Sequence, residues 1–331
     1  MSKPFFDPIP MSTPVTADNF EESAYVAANP DVKRSIDDGT FRDGHDHFVR
    51  HGYAEGRLMS VDPAILKEAR ALKMKALSPH LRNDMEVDFS NGKANYLTSK
   101  LRKAWNIIST DNVSAHNYDP NAHELINSSD GLVLDCGAGR RPVYYSNVVN
   151  FEIVDYDTTD VVGVGEDLPF KDNSFGGVIS IAVLEHVKDP FRCAKEIIRV
   201  LKPGGKLFAC VPFLQPLHAF PHHYYNMTHT GLKSLFDGGM EVDRQVVLES
   251  GHPIHTLSWL IRSWLMGLNE ETAKSFMDKK VSEFLETSAL LPQPFCAELS
   301  EEKNFELACA TSLFAHKKPI IQDIASVATA K

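Results

Sequence analysis

The stretch from Gly131 to Glu152, GLVLDCGAGRRPVYYSNVVNFE, constrains the fold of this chain more than any other. A brief apolar run before Gly137 and Gly139 is typical of a buried parallel strand that ends in a glycine-rich turn. A second apolar run ends at Glu152, which puts a carboxylate at the carboxyl end of the next strand. The pattern predicts a strand, a turn, a short helical crossover and a second strand, with a ligand at their carboxyl edge.

A glycine-rich turn followed by an acidic residue suits a nucleoside ligand, and NAD and S-adenosylmethionine both satisfy this pattern. Pro142 stands where the third glycine of GxGxxG would allow close packing beside a pyrophosphate. Asp135 would repel a pyrophosphate and would suit the ammonium group of a methionine moiety. The turn therefore favours S-adenosylmethionine.

Short apolar runs alternate with amphipathic segments further along the chain, which is typical of a parallel sheet covered on both faces. The sequence predicts an α/β fold: a doubly wound, seven-stranded Rossmann-like sheet whose last strand is antiparallel, with an N-terminal helical module. After the first two strands, further strands are expected at 160–162, 177–181, 206–211, 242–248 and 306–315.

Two helices are expected ahead of the sheet. Residues 62–77 carry Ile65, Ala69, Leu72 and Ala76 at helical spacing, which predicts an amphipathic helix with these residues on its apolar face. Residues 78–92 are polar and are expected to be a linker. Residues 94–108 predict the second helix, which either packs against the sheet or covers the ligand as a lid.

Residues 19–57 predict a compact helical piece, in which Asn29-Pro30 begins a helix and Gly39 ends it. Three histidines, His45, His47 and His51, raise the question of a metal site. No cysteine or paired acidic ligand completes such a site, so packing or surface histidines are favoured. The segment resembles a short module found beside bacterial glycan-handling enzymes.

Four ordered motifs, LDCGAG, EDLPFKDNSF, VLEHVKDP and RVLKPGG, resemble the class I S-adenosylmethionine-dependent methyltransferases, methyltransferase type 11-like. The resemblance implies that Asp135, Gly137, Ala138 and Gly139 line the methionine part of the cofactor and that Glu152 holds its ribose hydroxyls. It further implies that the adenine is bordered by Gly165, Glu166, Asp167 and Leu168. The sulfonium would be bordered by Ser180 and Ile181.

With the resemblance in place, the expected organisation is a flexible lead (1–18), a small helical module (19–60), a helical linker or lid region (61–130), a class I methyltransferase domain (131–317) with a helical insertion at about 253–290, and a tail (318–331). Two positions depart from the family. Val164 stands where an aspartate usually meets the adenine amino group, and Gly176 replaces the aspartate of SFD.

The segment after the fifth predicted strand is rich in histidine and tyrosine. A histidine there is suited to take a proton from a hydroxyl as a methyl group moves, so His222, His218 and Tyr224 are the candidate catalytic residues. A metal site and simple aromatic packing are the alternatives, and no metal is predicted. Glu185 and His186 form a second candidate pair, for which a structural role at the cofactor edge is favoured.

Composition limits the partners and the cellular location that we expect. The formal net charge of -10 argues against nucleic-acid binding and against docking on anionic lipid. Five cysteines without a CxxC pair, no signal peptide and no apolar run of membrane-spanning length predict a cytoplasmic protein without stable membrane insertion. The insertion, with Trp259 and Trp264, is expected to pack as core, cap the site, contact a lipid or form a homodimer.

The predicted function is transfer of a methyl group from S-adenosylmethionine to a hydroxyl of a sugar, a glycan or another small molecule. Carbon methylation of a quinone- or lipid-like acceptor is the alternative activity. If the protein is not an enzyme, the alternative is a scaffold that binds the cofactor and has lost catalysis.

Overall fold

The computed structural model describes residues 6–108, 114–218, 222–285 and 290–307. The chain divides into two compact units, one of residues 1–214 with 219–251 and the other of residues 215–218 with 252–331. The strands are β1 (Ile9–Pro10), β2 (Ser12–Pro14), β3 (Leu58–Ser60), β4 (Asp88–Ser90), β5 (Lys93–Asn95), β6 (Val133–Cys136), β7 (Val143–Tyr144), β8 (Val148–Glu152), β9 (Val161–Val162), β10 (Phe175–Ile181) and β11 (Leu201–Cys210).

The helices of the first unit are α1 (Glu22–Ala28), α2 (Pro30–Asp37), α3 (Gly44–His47), α4 (Pro63–Leu77), α5 (Ser99–Trp105), α6 (Pro120–Ser128), α7 (Pro190–Val200) and α8 (His229–Phe236). A π-helical turn follows α3 at Phe48–Gly52, and short 3-10 turns lie at Ser78–His80, Gly165–Asp167 and Glu249–Gly251. Pro30, Pro63, Pro120 and Pro190 all occupy a first helical turn, where the missing N–H costs no hydrogen bond; the sequence predicted this start at Pro30.

A seven-stranded mixed sheet in the order β11-β10-β6-β8-β9-β5-β4 forms the centre of the first unit. Six strands are parallel, and β4 is antiparallel to β5 at one edge. Helix α6 packs on one face, where Val133 and Ile179 join its apolar side chains. Helix α7 packs on the other face against Leu134 and Val178. The predicted Rossmann-like, doubly wound sheet is therefore confirmed.

The predicted strands near 132–134, 148–152, 160–162, 177–181 and 206–211 correspond to β6, β8, β9, β10 and β11. The strand predicted at 242–248 is wrong, since these residues form neither helix nor strand. Of the segment 306–315, Glu306 ends a helix and residues 308–315 lie outside the described residues. The two further strands come instead from 88–90 and 93–95, and the antiparallel one is β4.

Residues 88–95 form a hairpin where a linker and the start of a helix were predicted. Asn91 and Gly92 connect its strands with φ of 53° and 73°, the left-handed backbone that an Asn-Gly turn supplies between paired strands. Helix α5 therefore begins only at Ser99, with the Thr98 hydroxyl accepting a hydrogen bond from the Leu101 N–H at 3.3 Å. The helical crossover predicted between β6 and β8 is also absent from the structure, which has the short strand β7 there.

Within the segment predicted as a flexible lead (1–18), two short strands lie at Ile9–Pro10 and Ser12–Pro14. Strand β1 pairs with β7, and β2 pairs with β3, both antiparallel. Between them, Met11 is buried against Leu66, Ala69 and Tyr144. In the module, His47 packs beside Phe41 and lies 2.8 Å from the Tyr25 hydroxyl, which agrees with a packing histidine.

Helix α4 begins and ends as predicted, but only part of its predicted apolar face is buried: Ala69 is 5% exposed. Ile65 and Leu72 are 52% and 51% exposed, whereas Arg70 and Lys73 are buried. The Lys73 ammonium donates to the Asp160 carboxylate at 2.8 Å, and the Tyr144 hydroxyl donates to the other oxygen of the same carboxylate. A buried ion pair therefore helps to fix this helix to the sheet, beside the apolar contacts of Leu66 and Ala69.

The described part of the second unit is helical, with α9 (Pro253–Met266), α10 (Glu270–Met277), a 3-10 turn (Val281–Leu285) and two short helices, Pro294–Ala297 and Glu301–Glu306. Trp264 stacks on Phe276 at 5.8 Å and donates its Nε1–H to the Phe295 carbonyl at 2.7 Å. Trp264 thus belongs to a small aromatic core. None of the helices among the described residues is long and apolar enough to cross a membrane.

Candidate active site

The glycine-rich turn lies at the carboxyl end of β6 and is held against the neighbouring strand. Gly137 and Gly139 have φ of 84° and 61°, which other residues rarely adopt. The N–H groups of Gly137 and Ala138 donate to the Phe151 carbonyl at 2.9 and 3.0 Å. These bonds fix the turn beside the end of β8, where the sequence placed its acidic partner.

Glu152 ends β8 and reaches back to this turn. Its Oε2 accepts a hydrogen bond from the Gly139 N–H at 2.8 Å, and its Oε1 accepts one from the Ile153 N–H at 2.7 Å. Burial raises the pKa of Glu152, although these backbone donors act in the opposite direction. The structure thus brings Glu152 and the glycine turn together, as the spacing predicted.

Asp135, at the end of β6, is fully buried and paired with two residues that the sequence analysis missed. The Arg141 Nε donates to Asp135 Oδ2 at 2.8 Å, and the Tyr118 hydroxyl donates to the same oxygen. The Arg141 guanidinium also lies 4.2 Å above the Tyr118 ring. The only sequence signal for Arg141 was its position directly after the glycine turn, and Tyr118 gave none.

The segment that carries Tyr118 runs across the glycine turn. The Ser114 carbonyl accepts a hydrogen bond from the Arg140 N–H at 2.7 Å, and the His116 carbonyl accepts one from Arg141 at 3.0 Å. A Cβ at Gly139 would come within 2.5 Å of the Ser114 oxygen. Glycine at position 139 is therefore required for close approach as well as for its φ.

The residues predicted beside the adenine, Gly165 to Leu168, form a 3-10 turn at the next strand end. The Glu166 carboxylate accepts hydrogen bonds from the backbone N–H groups of Lys188 and Asp189. Asp167 pairs with Arg82 at 2.9 Å, and the Leu168 side chain is fully buried. These side chains hold the turn in place, and a Cβ at the buried Gly165 would come within 2.8 Å of the Cys193 sulfur.

Both departures from the family have a physical explanation. Val164 is buried in an apolar cluster with Leu97, Leu101 and Trp105, so helix α5 covers the place of the usual aspartate. At Gly176, a Cβ would lie 2.2 Å from the Asp130 carbonyl oxygen. Only glycine fits where these two backbone segments approach so closely.

Ser180 and Ile181 end β10 and were predicted near the sulfonium. The Ser180 hydroxyl is buried without a hydrogen-bond partner, and Ile181 packs at the edge of the α6 cluster. Among the described residues, six buried side-chain N or O atoms lack such a partner. Four of them lie at this edge, near the end of β6 or β10 or shortly after β10: Asp135 Oδ1, Ser180 Oγ and both Glu185 carboxyl oxygens.

Two of the three predicted catalytic residues lie together near this edge. His222 Nε2 lies 2.9 Å from the Asn106 Nδ2 and 3.1 Å from the Asn106 carbonyl, so it bonds to Asn106 in either tautomer. The Tyr224 hydroxyl is 3.5 Å from the same amide, and the Tyr224 ring lies 5.1 Å from that of His222. Asn106, missed from the sequence, joins the end of α5 to this segment.

His218, the third predicted catalytic residue, belongs to the second unit. Its ring lies 5.3 Å from Trp259, and its Nδ1 is 2.8 Å from the Pro216 carbonyl. The structure therefore gives His218 an aromatic packing environment within that unit. Its catalytic role stays a prediction.

The turn after β10 carries the second predicted pair, Glu185 and His186. The Glu185 carbonyl accepts hydrogen bonds from the N–H groups of Tyr224 and Tyr225 at 2.7 and 3.2 Å. His186 Nδ1 lies 2.8 Å from the His222 carbonyl. Backbone contacts thus fasten the histidine-rich segment to this turn.

The donor set fits an adenosyl cofactor joined to an amino acid. Partnerless buried acceptors at Asp135 and Glu185 suit a cationic ligand, and Glu152 stands beside the glycine turn where ribose hydroxyls are usually held. Residues 136–209 match the family model described as a methyltransferase domain. The chain contains a methyltransferase domain.

Relatives match part of the chain. An uncharacterised methyltransferase of Mycobacteroides abscessus is 35% identical over 101 residues, which cover 30% of this chain and 36% of the relative. Cycloartenol-C-24-methyltransferase 1 of Oryza sativa is 40% identical over 72 residues, 22% of this chain and 20% of the relative. The matches thus span only about a third or less of these relatives' length.

Solved structures show a more distant likeness. Phosphoethanolamine N-methyltransferase 2 of Haemonchus contortus, solved with S-adenosylmethionine, is 16% identical over 57% of this chain and 48% of its own, with a TM-score of 0.30. The family match confirms the predicted class I methyltransferase domain and S-adenosylmethionine as its cofactor.

Proposed function

We propose that the protein transfers a methyl group from S-adenosylmethionine to a hydroxyl of a sugar, a glycan or another small molecule. The observation that carries this proposal is the edge of the sheet after β6, β8 and β10. There a glycine turn, the Glu152 carboxylate and four partnerless buried polar atoms lie on adjacent strands. Such groups are costly to bury unless a ligand completes their hydrogen bonds.

Each part of the edge has a role toward the cofactor in this proposal. Asp135 Oδ1 accepts from the ammonium group, since Oδ2 is already taken by Arg141 and Tyr118. Glu152 exchanges its bond with Gly139 for bonds to ribose hydroxyls. The turn at Gly165 borders the adenine, and Ser180 borders the sulfonium. The bound cofactor supplies an electrophilic methyl group.

Transfer to oxygen requires a nucleophile in line with the methyl group and a group that removes its proton. His222 and Tyr224 lie on a segment fastened to the turn after β10, which supports their place near the acceptor. The sugar or glycan class rests on the resemblance of residues 19–57 to a module found beside glycan-handling enzymes. A small-molecule acceptor rather than nucleic acid agrees with the net charge of -10.

Carbon methylation of a quinone- or lipid-like acceptor is the second candidate. Helix α9 supports it with exposed Ile254, Leu257 and Ile261, which are spaced along the helix as one apolar stripe would be. The matching rice protein is named as a carbon methyltransferase. We also propose that this apolar surface could form a homodimer, and that the protein does not insert stably into a membrane.

We place this activity in the cytoplasm. The described cysteines, Cys136, Cys193, Cys210 and Cys296, are all unpaired thiols. Unpaired thiols fit a reducing compartment.

Calorimetric titration of the full chain with S-adenosylmethionine and S-adenosylhomocysteine tests the proposal. We expect micromolar binding, about -8 kcal/mol. Glu152→Gln should weaken both ligands about tenfold or more, since hydrogen bonds to a charged group are worth about 1.5–3 kcal/mol. Glu124→Gln, at an exposed position on α6, is the control and should bind as the wild type does.

An acceptor screen then follows S-adenosylhomocysteine formation with sugars, glycans, quinones and lipids. Mass spectrometry and NMR of the product distinguish methylation of oxygen from methylation of carbon. Absence of binding to either nucleoside would overturn the proposed activity. Binding without transfer to any acceptor would favour the scaffold.

A further inference from the structure

Glu185 is buried at the proposed site although burial of a carboxyl group without hydrogen bonds is energetically unfavourable. Its carboxyl group is fully buried, and neither oxygen has a hydrogen-bond partner among the described residues. Burial raises the pKa of Glu185 to about 7. A carboxyl group without partners inside a protein requires an explanation, and such groups concentrate at functional sites.

Its position points to the reacting end of the cofactor. Glu185 follows β10 by four residues, and the Ser180 hydroxyl at the end of that strand is likewise buried without a partner. Cys210, which ends β11 next to β10, is near enough for the Glu185 charge to raise the pKa of its thiol, after burial as the main cause. The carboxyl group therefore follows the end of β10 and is close enough to the end of β11 for its charge to act on Cys210.

Its neighbour His186 is held in one tautomer. The His222 carbonyl can only accept, so His186 Nδ1 carries the proton and donates to it at 2.8 Å. In the neutral ring, Nε2 is then the basic nitrogen, and it lies 3.7 Å from Glu185 Oε1. A proton can pass between this nitrogen and the carboxylate after a small approach.

His222 is less suited to the same task. Its Nε2 is bonded to Asn106 in either tautomer, and its carbonyl holds His186. These contacts make His222 a residue that positions the histidine-rich segment. Glu185 and His186, which contact the same segment, are better placed to remove the acceptor proton.

We infer that Glu185, assisted by His186, balances the positive charge of the bound donor and then takes the proton of the acceptor hydroxyl. This inference rests on the proposed function. The carboxylate is negative while the donor is a sulfonium. As the carbon–sulfur bond breaks and the oxygen–carbon bond forms, the acceptor O–H proton passes to the carboxylate or to His186 Nε2. The donor becomes a neutral thioether, so the buried site has the same net charge before and after transfer.

The test compares affinities for the two nucleosides, which needs no known acceptor. S-adenosylhomocysteine lacks the sulfonium charge, so the carboxylate should favour S-adenosylmethionine over it. In the full chain at pH 8, Glu185→Gln should lower the ratio of the two affinities about tenfold or more, mainly by weakening S-adenosylmethionine. This size corresponds to the pKa shift of about one to three units that an opposite charge causes nearby.

Two further variants separate charge from folding. Glu185→Asp keeps the negative charge and should retain most of the preference for S-adenosylmethionine. Glu68→Gln removes the same charge from an exposed position on α4 and should leave both affinities unchanged. Circular dichroism and melting curves establish that each variant is folded before titration.

The outcomes are distinguishable. If the wild type binds neither nucleoside, the proposed function itself fails. If the wild type binds both and folded Glu185→Gln keeps the wild-type affinity ratio, this inference is overturned while the proposed function stands. A loss of preference in Glu185→Gln together with its retention in Glu185→Asp supports the inference.

Discussion

A single residue, Glu185, should make the stability of the protein depend on pH. Its carboxyl pKa is 4.5 when exposed and about 7 in the folded chain, because burial disfavours the charged form. Between these values the folded state binds more protons than the unfolded state. The free energy of unfolding should therefore fall as pH rises from about 4.5 to 7, by up to about 3 kcal/mol from this group.

Urea denaturation of the wild type and Glu185→Gln at pH 5 and pH 7.5 measures this contribution. The variant lacks the titrating group, so its stability should fall less across the interval. Glu152 and Glu166 also have pKa values raised by burial, but they contribute equally to both proteins. Identical changes in the two proteins would contradict the prediction.

The sequence predicted residues of the site that follow a strand directly and missed those that come from elsewhere. Gly137, Gly139 and Glu152 stand at fixed distances from apolar runs, so the parallel sheet had to bring them to one edge. Tyr118 and Asn106 reach the site from the chain between β5 and β6. Their positions depend on tertiary contacts that no local spacing records.

At the scale of elements, strands were predicted better than helix faces. The strands at the centre of the sheet are buried on both faces and carry mostly apolar residues, which sequence patterns detect well. The edge hairpin has only three residues in each strand, and its Asn-Gly turn was overlooked. On α4, periodicity selected Ile65 and Leu72, because a buried lysine is indistinguishable from an exposed one in such a pattern.

The ion pair beneath α4 leads to a prediction about stability. Lys73→Met should reduce the free energy of unfolding by about 3 kcal/mol, because it leaves the buried Asp160 carboxylate without its ammonium partner. Arg70, 3.7 Å from the same carboxylate, limits the loss. Urea denaturation measures the effect.

Lys67→Met on the same helix is the matched control, since Lys67 is exposed. Its free energy of unfolding should stay within about 0.5 kcal/mol of the wild type. Equal effects of the two substitutions would show that Lys73 and Asp160 contribute no more than a surface charge.

At the scale of the whole chain, the N-terminal segment belongs to the same unit as the seven-stranded sheet. Strand β1 pairs with β7, which begins six residues after Gly137, and β2 pairs with β3 of the module. The same short segment therefore touches both the module and the loop that follows Arg141. The pairing of this proline-rich segment could not be predicted from the sequence, because isolated strands of two and three residues leave no periodic pattern.

Met11 is the residue through which this attachment can be tested. It is 9% exposed and lies between β1 and β2, packed on Leu66, Ala69 and Tyr144. Met11→Asp buries a charge without a partner, so we expect a loss of more than about 3 kcal/mol of unfolding free energy. Ser12→Asp, at the exposed neighbouring position, should change stability by less than about 0.5 kcal/mol.

Thermal unfolding followed by circular dichroism measures both variants, and a single transition that shifts only for Met11→Asp would confirm that the segment and the sheet unfold together. Two similar melting curves would mean that the segment contributes nothing to the stability of the sheet.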